Sequence, residues 1–169
     1  LDDTEYALID LQLSGITDIL VLQGDKCKVD ANTAPAKCGN RYAIDLQRQV
    51  NRFNEGFFVD GTPIKEPGQP FSYGVACYPE KHEEAPNMES DLAVLKQKAD
   101  EGAEYAVTQM FFDNRRYFEF VERARAMGIT IPIIPGIRPM HRLSQLNVLP
   151  KTFHVDLPSE LVAEVLKCK

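Results

Sequence analysis

The stretch Ser72-Tyr73-Gly74-Val75-Ala76-Cys77-Tyr78-Pro79-Glu80-Lys81-His82 decides the fold. Its first seven residues are a continuous run of small, aliphatic and aromatic side chains, closed by Pro79, which has no N–H to give a ladder. A run of that kind is covered on both faces, as strands in parallel sheets are. Working outward, Asp18–Leu22, Tyr105–Met110 and Ile131–Ile134 have the same form. Helical periodicity fills the intervals. Thr4–Ser14 carries Ala7, Leu8 and Leu11 and stops at Gly15, and Tyr42–Asn54 carries Ala43, Leu46, Val50 and Phe53. Asn87 caps a helix to Glu101 with Leu92, Leu95 and Ala99 inward and Gly102 at its end. Asp113 or Asn114 caps another through Met127, stopped by Gly128. A short helix near Arg142–Leu146 and an amphipathic one at Ser159–Lys167 complete the series. Turn signals at Asp60-Gly61-Thr62-Pro63 and Glu66-Pro67-Gly68 predict a hairpin-like surface insertion over Phe57–Gln69.

Helices alternating with parallel strands allow a doubly wound α/β sheet or part of a (β/α)8 TIM barrel. Neither G-x-G-x-x-G nor G-x-x-x-x-G-K-[ST] occurs, which removes the usual nucleotide signatures of open sheets. Barrels carry chemistry at the C-terminal ends of their strands, and the residues there are polar: Gln23-Gly24-Asp25, Tyr78 to His82, Thr108-Gln109 and Pro135-Gly136. The barrel reading is preferred, with four of its eight strands in view. The 169 residues read as one domain, 44% apolar and 26% charged, with a net charge of −6. That composition excludes disorder, and its acidic balance argues against gripping nucleic-acid backbones. No window reaches about 18 consecutive apolar residues, so no membrane span is expected. Cys27, Cys38, Cys77 and Cys168 lack C-x-x-C spacing and read as reduced thiols of a cytoplasmic protein. The start at Leu1 reads as a point part-way along a longer chain.

Several strand-end residues are candidates for chemistry. Asp25 could stabilise a developing positive charge, act as a base, or cap its loop. Gln109 ends an apolar run, where an amide is costly to bury without partners, and its donor-plus-acceptor head suits the edge of a pterin or flavin. Tyr78 with His82 offers a planar ring beside a titratable one, or a packed tyrosine and a surface histidine. No second ligand stands at matching spacing to make His82 a metal site. Asp91 and Lys98, two helical turns apart, share a face that could hold a ribose and a phosphate or simply meet solvent. Arg115, Arg116, Tyr117 and Phe118 belong to an amphipathic helix, and Phe111-Phe112 reads as core.

At these residues the chain resembles the methylenetetrahydrofolate reductase family. The matches run in order: Gly24-Asp25 after an aliphatic strand, Tyr42-Ala43 with Asp45-Leu46, and Gly74-Val75-Ala76 leading to Tyr78-Pro79-Glu80 and His82. Asp91-Leu92 with Leu95-Lys96 and Lys98, Gly102-Ala103, Thr108-Gln109 with Phe111-Phe112-Asp113, and Ile134-Pro135-Gly136-Ile137 continue it. The resemblance implies an FAD-containing (β/α)8 barrel in which NADH or NADPH donates hydride and methylenetetrahydrofolate is reduced to methyltetrahydrofolate, feeding methionine synthesis. By resemblance Asp25 is the catalytic anion that stabilises the iminium cation of the opening folate. Gln109 is catalytic and meets the folate ring and the nicotinamide, and Gln145 is a second folate contact. FAD contacts carry over to Gln23, Gly24, Asp25, Tyr42, Ala43, Tyr78, His82, Ala85, Asp91 and Lys98, which gives the Asp91–Lys98 face a ligand to serve. Gln23 stands where the family usually has arginine, keeping hydrogen bonding but losing the cation. Val94 and Gln97 stand where some members place polar or basic contacts.

The resemblance places strands four to seven in this chain, with the glutamate general acid before Leu1 and the last strand after Lys169. On that reading the isolated chain cannot complete the reaction. Raw parallel edges and the family's habit both point to a homo-oligomer. The competing readings are a non-catalytic half-barrel module for binding or assembly, and a barrel lyase or aldolase. The latter is weak because no lysine stands at a strand end to form a Schiff base.

Overall fold

The computed structural model describes residues 2–23 and 40–167. Its elements are α1 (Asp2–Leu13), β1 (Asp18–Val21), α2 (Ala43–Asn54), β2 (Ser72–Cys77), α3 (Met88–Asp100), β3 (Tyr105–Thr108), α4 (Asn114–Ala126), β4 (Ile133–Ile134), α5 (Gln145–Phe153) and α6 (Ser159–Lys167). The chain divides into two compact units, Leu1–Val75 with Lys98–Glu104 and Ala76–Gln97 with Tyr105–Lys169.

One device closes the first four helices. After α2, the Gly56 N–H donates to the Phe53 carbonyl and the Phe57 N–H to Arg52. This is a Schellman closure, and Gly56 accommodates its left-handed φ of +87° because it has no Cβ. Gly15, Gly102 and Gly128 close α1, α3 and α4 with the same pair of bonds. The starts are equally local. The Asn87 side chain accepts from the Ser90 N–H and that of Asp113 from Arg115, while Asp45 reaches back to the Tyr42 N–H.

In the first unit β1 and β2 pair in parallel, Asp18 opposite Ser72 and Val21 opposite Val75. Val21, Val50, Phe53, Phe71, Tyr73 and Val75 are buried, and the Phe53 ring contacts Phe58 and Phe71. Three amides on α2 join distant main chain. Asn54 both donates to the Phe71 carbonyl (2.9 Å) and accepts its N–H (2.8 Å). Gln47 Nε2 donates to the Lys98 carbonyl at 2.9 Å and Asn51 Nδ2 to that of Glu101 at 2.7 Å. In the 57–69 segment Phe57 makes an antiparallel bridge to Pro63, and Gln12 Nε2 donates to the Gln69 carbonyl.

In the second unit β3 and β4 are parallel, Ala106 opposite Ile133. The Gln109 N–H donates to the Cys77 carbonyl at 2.8 Å, so the end of β2 flanks the end of β3. Phe120, Ala124, Ile129 and Ile133 are buried. Met110, Leu149 and Val155 form a cluster with Phe112, Met140 and Phe153 against it. The Gly136 N–H donates to Thr108 Oγ1 at 2.9 Å, and a Cβ at Gly136 would run into the Thr108 carbonyl.

Parallel strands alternating with helices make this an α/β fold of the kind found in part of a (β/α)8 barrel. Three expectations are corrected. The strand read as buried at 18–22 is buried only at Val21, with Asp18 and Leu20 exposed, so one side of it and not both faces the core of its unit. The short helix at 142–146 is instead α5, starting at Gln145 and continuing through Pro150 to a left-handed His154. Pro150 sits in the second turn of α5 and is tolerated there. The strands read as 105–110 and 131–134 are shorter, Tyr105–Thr108 and Ile133–Ile134, and Pro132, which has no N–H, gives β3 only its carbonyl. Among the described residues no helix is long and apolar enough to cross a membrane.

Candidate functional site

In the second unit, the turn after β2 gathers Tyr78, His82, Ala85 and Asp91. The half-buried Tyr78 ring meets the His82 ring edge-on, with centroids 4.5 Å apart at 75°. The His82 N–H donates to Oδ2 of the buried Asp91 at 2.8 Å. His82 Nδ1 accepts the Glu84 N–H at 3.1 Å, so a neutral ring carries its hydrogen on Nε2. The Ala85 N–H donates to the His82 carbonyl. Burial pushes the Tyr78 hydroxyl above its ordinary pKa range, and the charge of Asp91 and then Cys77 add to this.

Gln109 and Tyr78 line one small cavity of about 10 Å³, large enough for a single water. Glu80 lines it too. Its Oε2 accepts the Asp156 N–H at 2.9 Å, while Oε1 is buried without a hydrogen-bond partner among the described residues. Burial raises the Glu80 pKa, against the bond from Asp156. Glu80 stands in the Tyr78-Pro79-Glu80 motif with no role legible in the sequence; the segment after α5, which brings Asp156, supplies that signal.

Gln109 Oε1 accepts the N–H of Met110 at 2.9 Å. Gln145 is buried, and its Oε1 accepts the N–H groups of His141 (2.8 Å) and Arg142 (2.9 Å). Both glutamines thus have their carbonyl ends committed to main chain, and among the described residues no acceptor meets their NH2 ends. Phe111 stacks on Tyr117 and Phe112 joins the Met110 cluster, so both pack against the protein's own side chains.

In the first unit, Tyr42 precedes α2, is 46% exposed, and has the Arg41 guanidinium 5.2 Å from its ring centre. Ala43 is the buried first residue of α2, and Gln23 is exposed just beyond β1. Lys98 lies in the last turn of α3, two turns on from Asp91 in the same helix. Gly24 and Asp25 lie outside the described residues. Among the described residues no cluster of three or more His, Cys, Asp or Glu could hold a metal ion.

The sequence matches the family model for methylenetetrahydrofolate reductase over residues 1–169. The chain belongs to the methylenetetrahydrofolate reductase family. Methylenetetrahydrofolate reductase 2 of Saccharomyces cerevisiae is 38% identical over 129 residues, covering 75% of this chain and 19% of its own. A probable methylenetetrahydrofolate reductase (NADPH) of Caenorhabditis elegans is 31% identical over 163 residues, covering 96% and 22%. Methylenetetrahydrofolate reductase (NADH) 1 of Zea mays is 31% identical over 168 residues, covering 94% and 26%. The chain therefore spans about a fifth to a quarter of the length of these reductases.

Proposed function

We propose that the protein carrying this chain is an FAD-dependent methylenetetrahydrofolate reductase, with NADH or NADPH as hydride donor. The family match over all 169 residues carries this reading. The residues fit the cofactor on chemical grounds. A half-buried Tyr78 ring, the Nε2 edge of His82 and the small Ala85 beside them offer planar and hydrogen-bonding surfaces suited to a flavin nucleotide. By family likeness Gln23, Gly24, Asp25, Tyr42, Ala43, Asp91 and Lys98, the last as a point charge for phosphate, would also contact FAD. FAD, when bound, would supply two-electron transfer between nicotinamide and folate.

The chain's own residues would act on the folate by placement of charge and donors. Asp25 would stabilise the positive charge that develops as the methylene bridge opens. Gln109 and Gln145, with their carbonyls held by main-chain N–H groups, would present NH2 donors to acceptors on the pterin and its amide. Relatives named for NADH and for NADPH match at the same 31% identity, so the donor is stated as the class. We place the enzyme in the cytoplasm as a homo-oligomer.

The test is a visible absorbance spectrum of the protein made from its full coding sequence, then the two half-reactions in wild type and Asp25→Asn. The expected result is bound flavin in both, nicotinamide oxidation nearly unchanged, and folate reduction slowed by about 10²-fold in the variant. A protein that is colourless and takes up no added FAD would end the reductase reading in favour of a non-catalytic module. Equal slowing of both half-reactions would remove the electrostatic role of Asp25.

A further inference from the structure

The turn that carries His82 and Ala85 folds around a single ammonium group. Lys81 Nζ donates to the His82 carbonyl at 3.0 Å and to that of Ala85 at 2.6 Å, and lies 3.5 Å from that of Glu83. Three carbonyl dipoles aimed at one point repel each other unless a cation stands there, and an ammonium has three N–H donors to meet them. Lys81 itself adopts φ +77°, a left-handed conformation that disfavours any residue with a Cβ. That conformation is what turns the side chain back over the residues that follow it. Glycine would take the same φ without strain, so a lysine here is explained by its head group rather than its backbone.

The turn has a second layer that depends on the first. The Ala85 N–H returns to the His82 carbonyl, the Glu84 N–H holds His82 Nδ1, and Asp91 holds the His82 N–H. Freeing the carbonyls of 82–85 would let the Glu84 and Ala85 amides move, and with them the ring whose tautomer Glu84 fixes.

We propose that Lys81 is a positioning residue: its ammonium ties together the carbonyls of the 82–85 turn and so sets the His82 ring and the Ala85 main chain for the flavin. The cofactor half of this rests on the FAD reading above. Among the described residues the Lys81 ammonium hydrogen-bonds only main-chain carbonyls, and its action on the cofactor runs through His82 and Ala85.

The experiment compares wild type, Lys81→Met, Lys81→Gly and Lys81→Arg in the protein made from its full coding sequence. Two quantities are read: amide hydrogen exchange at Glu84 and Ala85 without cofactor, and the FAD dissociation constant. Lys81→Met should speed exchange at both amides about tenfold with Val75 and Ile133 unchanged, and weaken FAD by a similar factor. Lys81→Gly should weaken FAD as much, although it removes the unfavourable φ, while Lys81→Arg should recover part of the loss. Wild-type exchange and wild-type FAD affinity in Lys81→Met would overturn the proposal. Full FAD affinity in Lys81→Gly would do so as well, by showing that only the backbone matters. A wild-type protein that takes up no FAD would instead defeat the cofactor reading, and the exchange rates would still decide whether the ammonium holds the turn.

Discussion

In the first unit the side-chain amides of Gln47, Asn51 and Asn54 reach main-chain groups of residues 98, 101 and 71. In the second, those of Gln109 and Gln145 turn their oxygens onto N–H groups one to four residues away. The same functional group thus does two different jobs. A bond to a distant carbonyl fixes one segment against another, and losing it leaves buried main chain without a partner. A bond to a neighbouring N–H does little for the fold but fixes which end of the amide points outward. Gln47 shows the cost of the first arrangement, because its Oε1 stays buried with no partner among the described residues. The comparison teaches that local self-bonding of a glutamine marks an oriented donor more than a structural strut.

The largest effect should come from Asn54→Ala. It strips both the donor and the acceptor from Phe71, whose side chain is buried, and should cost about 3 kcal/mol in denaturant unfolding. A loss below about 1 kcal/mol would show that water replaces the amide, and the contrast between the units would weaken.

Gln109→Glu sharpens the contrast from the other side. A carboxylate keeps an oxygen for the Met110 N–H but replaces the NH2 donor with a second acceptor. Stability should change by less than about 0.5 kcal/mol, while the folate dissociation constant rises about tenfold or more. Unchanged folate affinity, measured by titration, would remove Gln109 from the ligand contacts.

The smallest effect concerns Glu80. Its pKa is raised by burial, so its protonated form is favoured in the fold. The stability it contributes is therefore fully present below its ordinary value of 4.5 and is lost as pH rises through the raised one. Glu80→Gln keeps an acceptor for the Asp156 N–H without that loss. Wild type should fall relative to the variant as pH rises from 4.5 through the raised value, by less than about 1 kcal/mol given partial solvent screening. Parallel stability curves for the two proteins would show that Glu80 is as well solvated in the fold as outside it.

Much of the fold was legible before any coordinates. The glycines at 15, 102 and 128 and the caps at Asn87 and Asp113 all act where periodicity placed them, and Ser159–Lys167 is helical end to end. The failures share a cause. The helix expected near Arg142–Leu146 instead starts at Gln145 and runs through Pro150 to Phe153, where Leu149 and Val155 pack with Met110, a partner about forty residues earlier. α6 has as clear an apolar stripe as α2, but it buries no residue among those described, whereas α2 buries five. A stripe says that a helix has an inner face and leaves open what covers it.

The candidate site divides in the same way. Tyr78, His82 and Asp91 were singled out by type and spacing, and the structure brings those three together. The sequence by itself determined the alternation of helix and strand, the points where the helices stop and the residue types at the strand ends. Those signals act within one turn of chain, through a cap, a glycine or a periodic stripe. Only the tertiary structure decided that Asp156 meets Glu80, which amides are struts and which are oriented donors, and that one lysine ammonium gathers a turn. Each of these depends on where main-chain carbonyls and N–H groups lie once the chain is packed, and no spacing along the sequence encodes that.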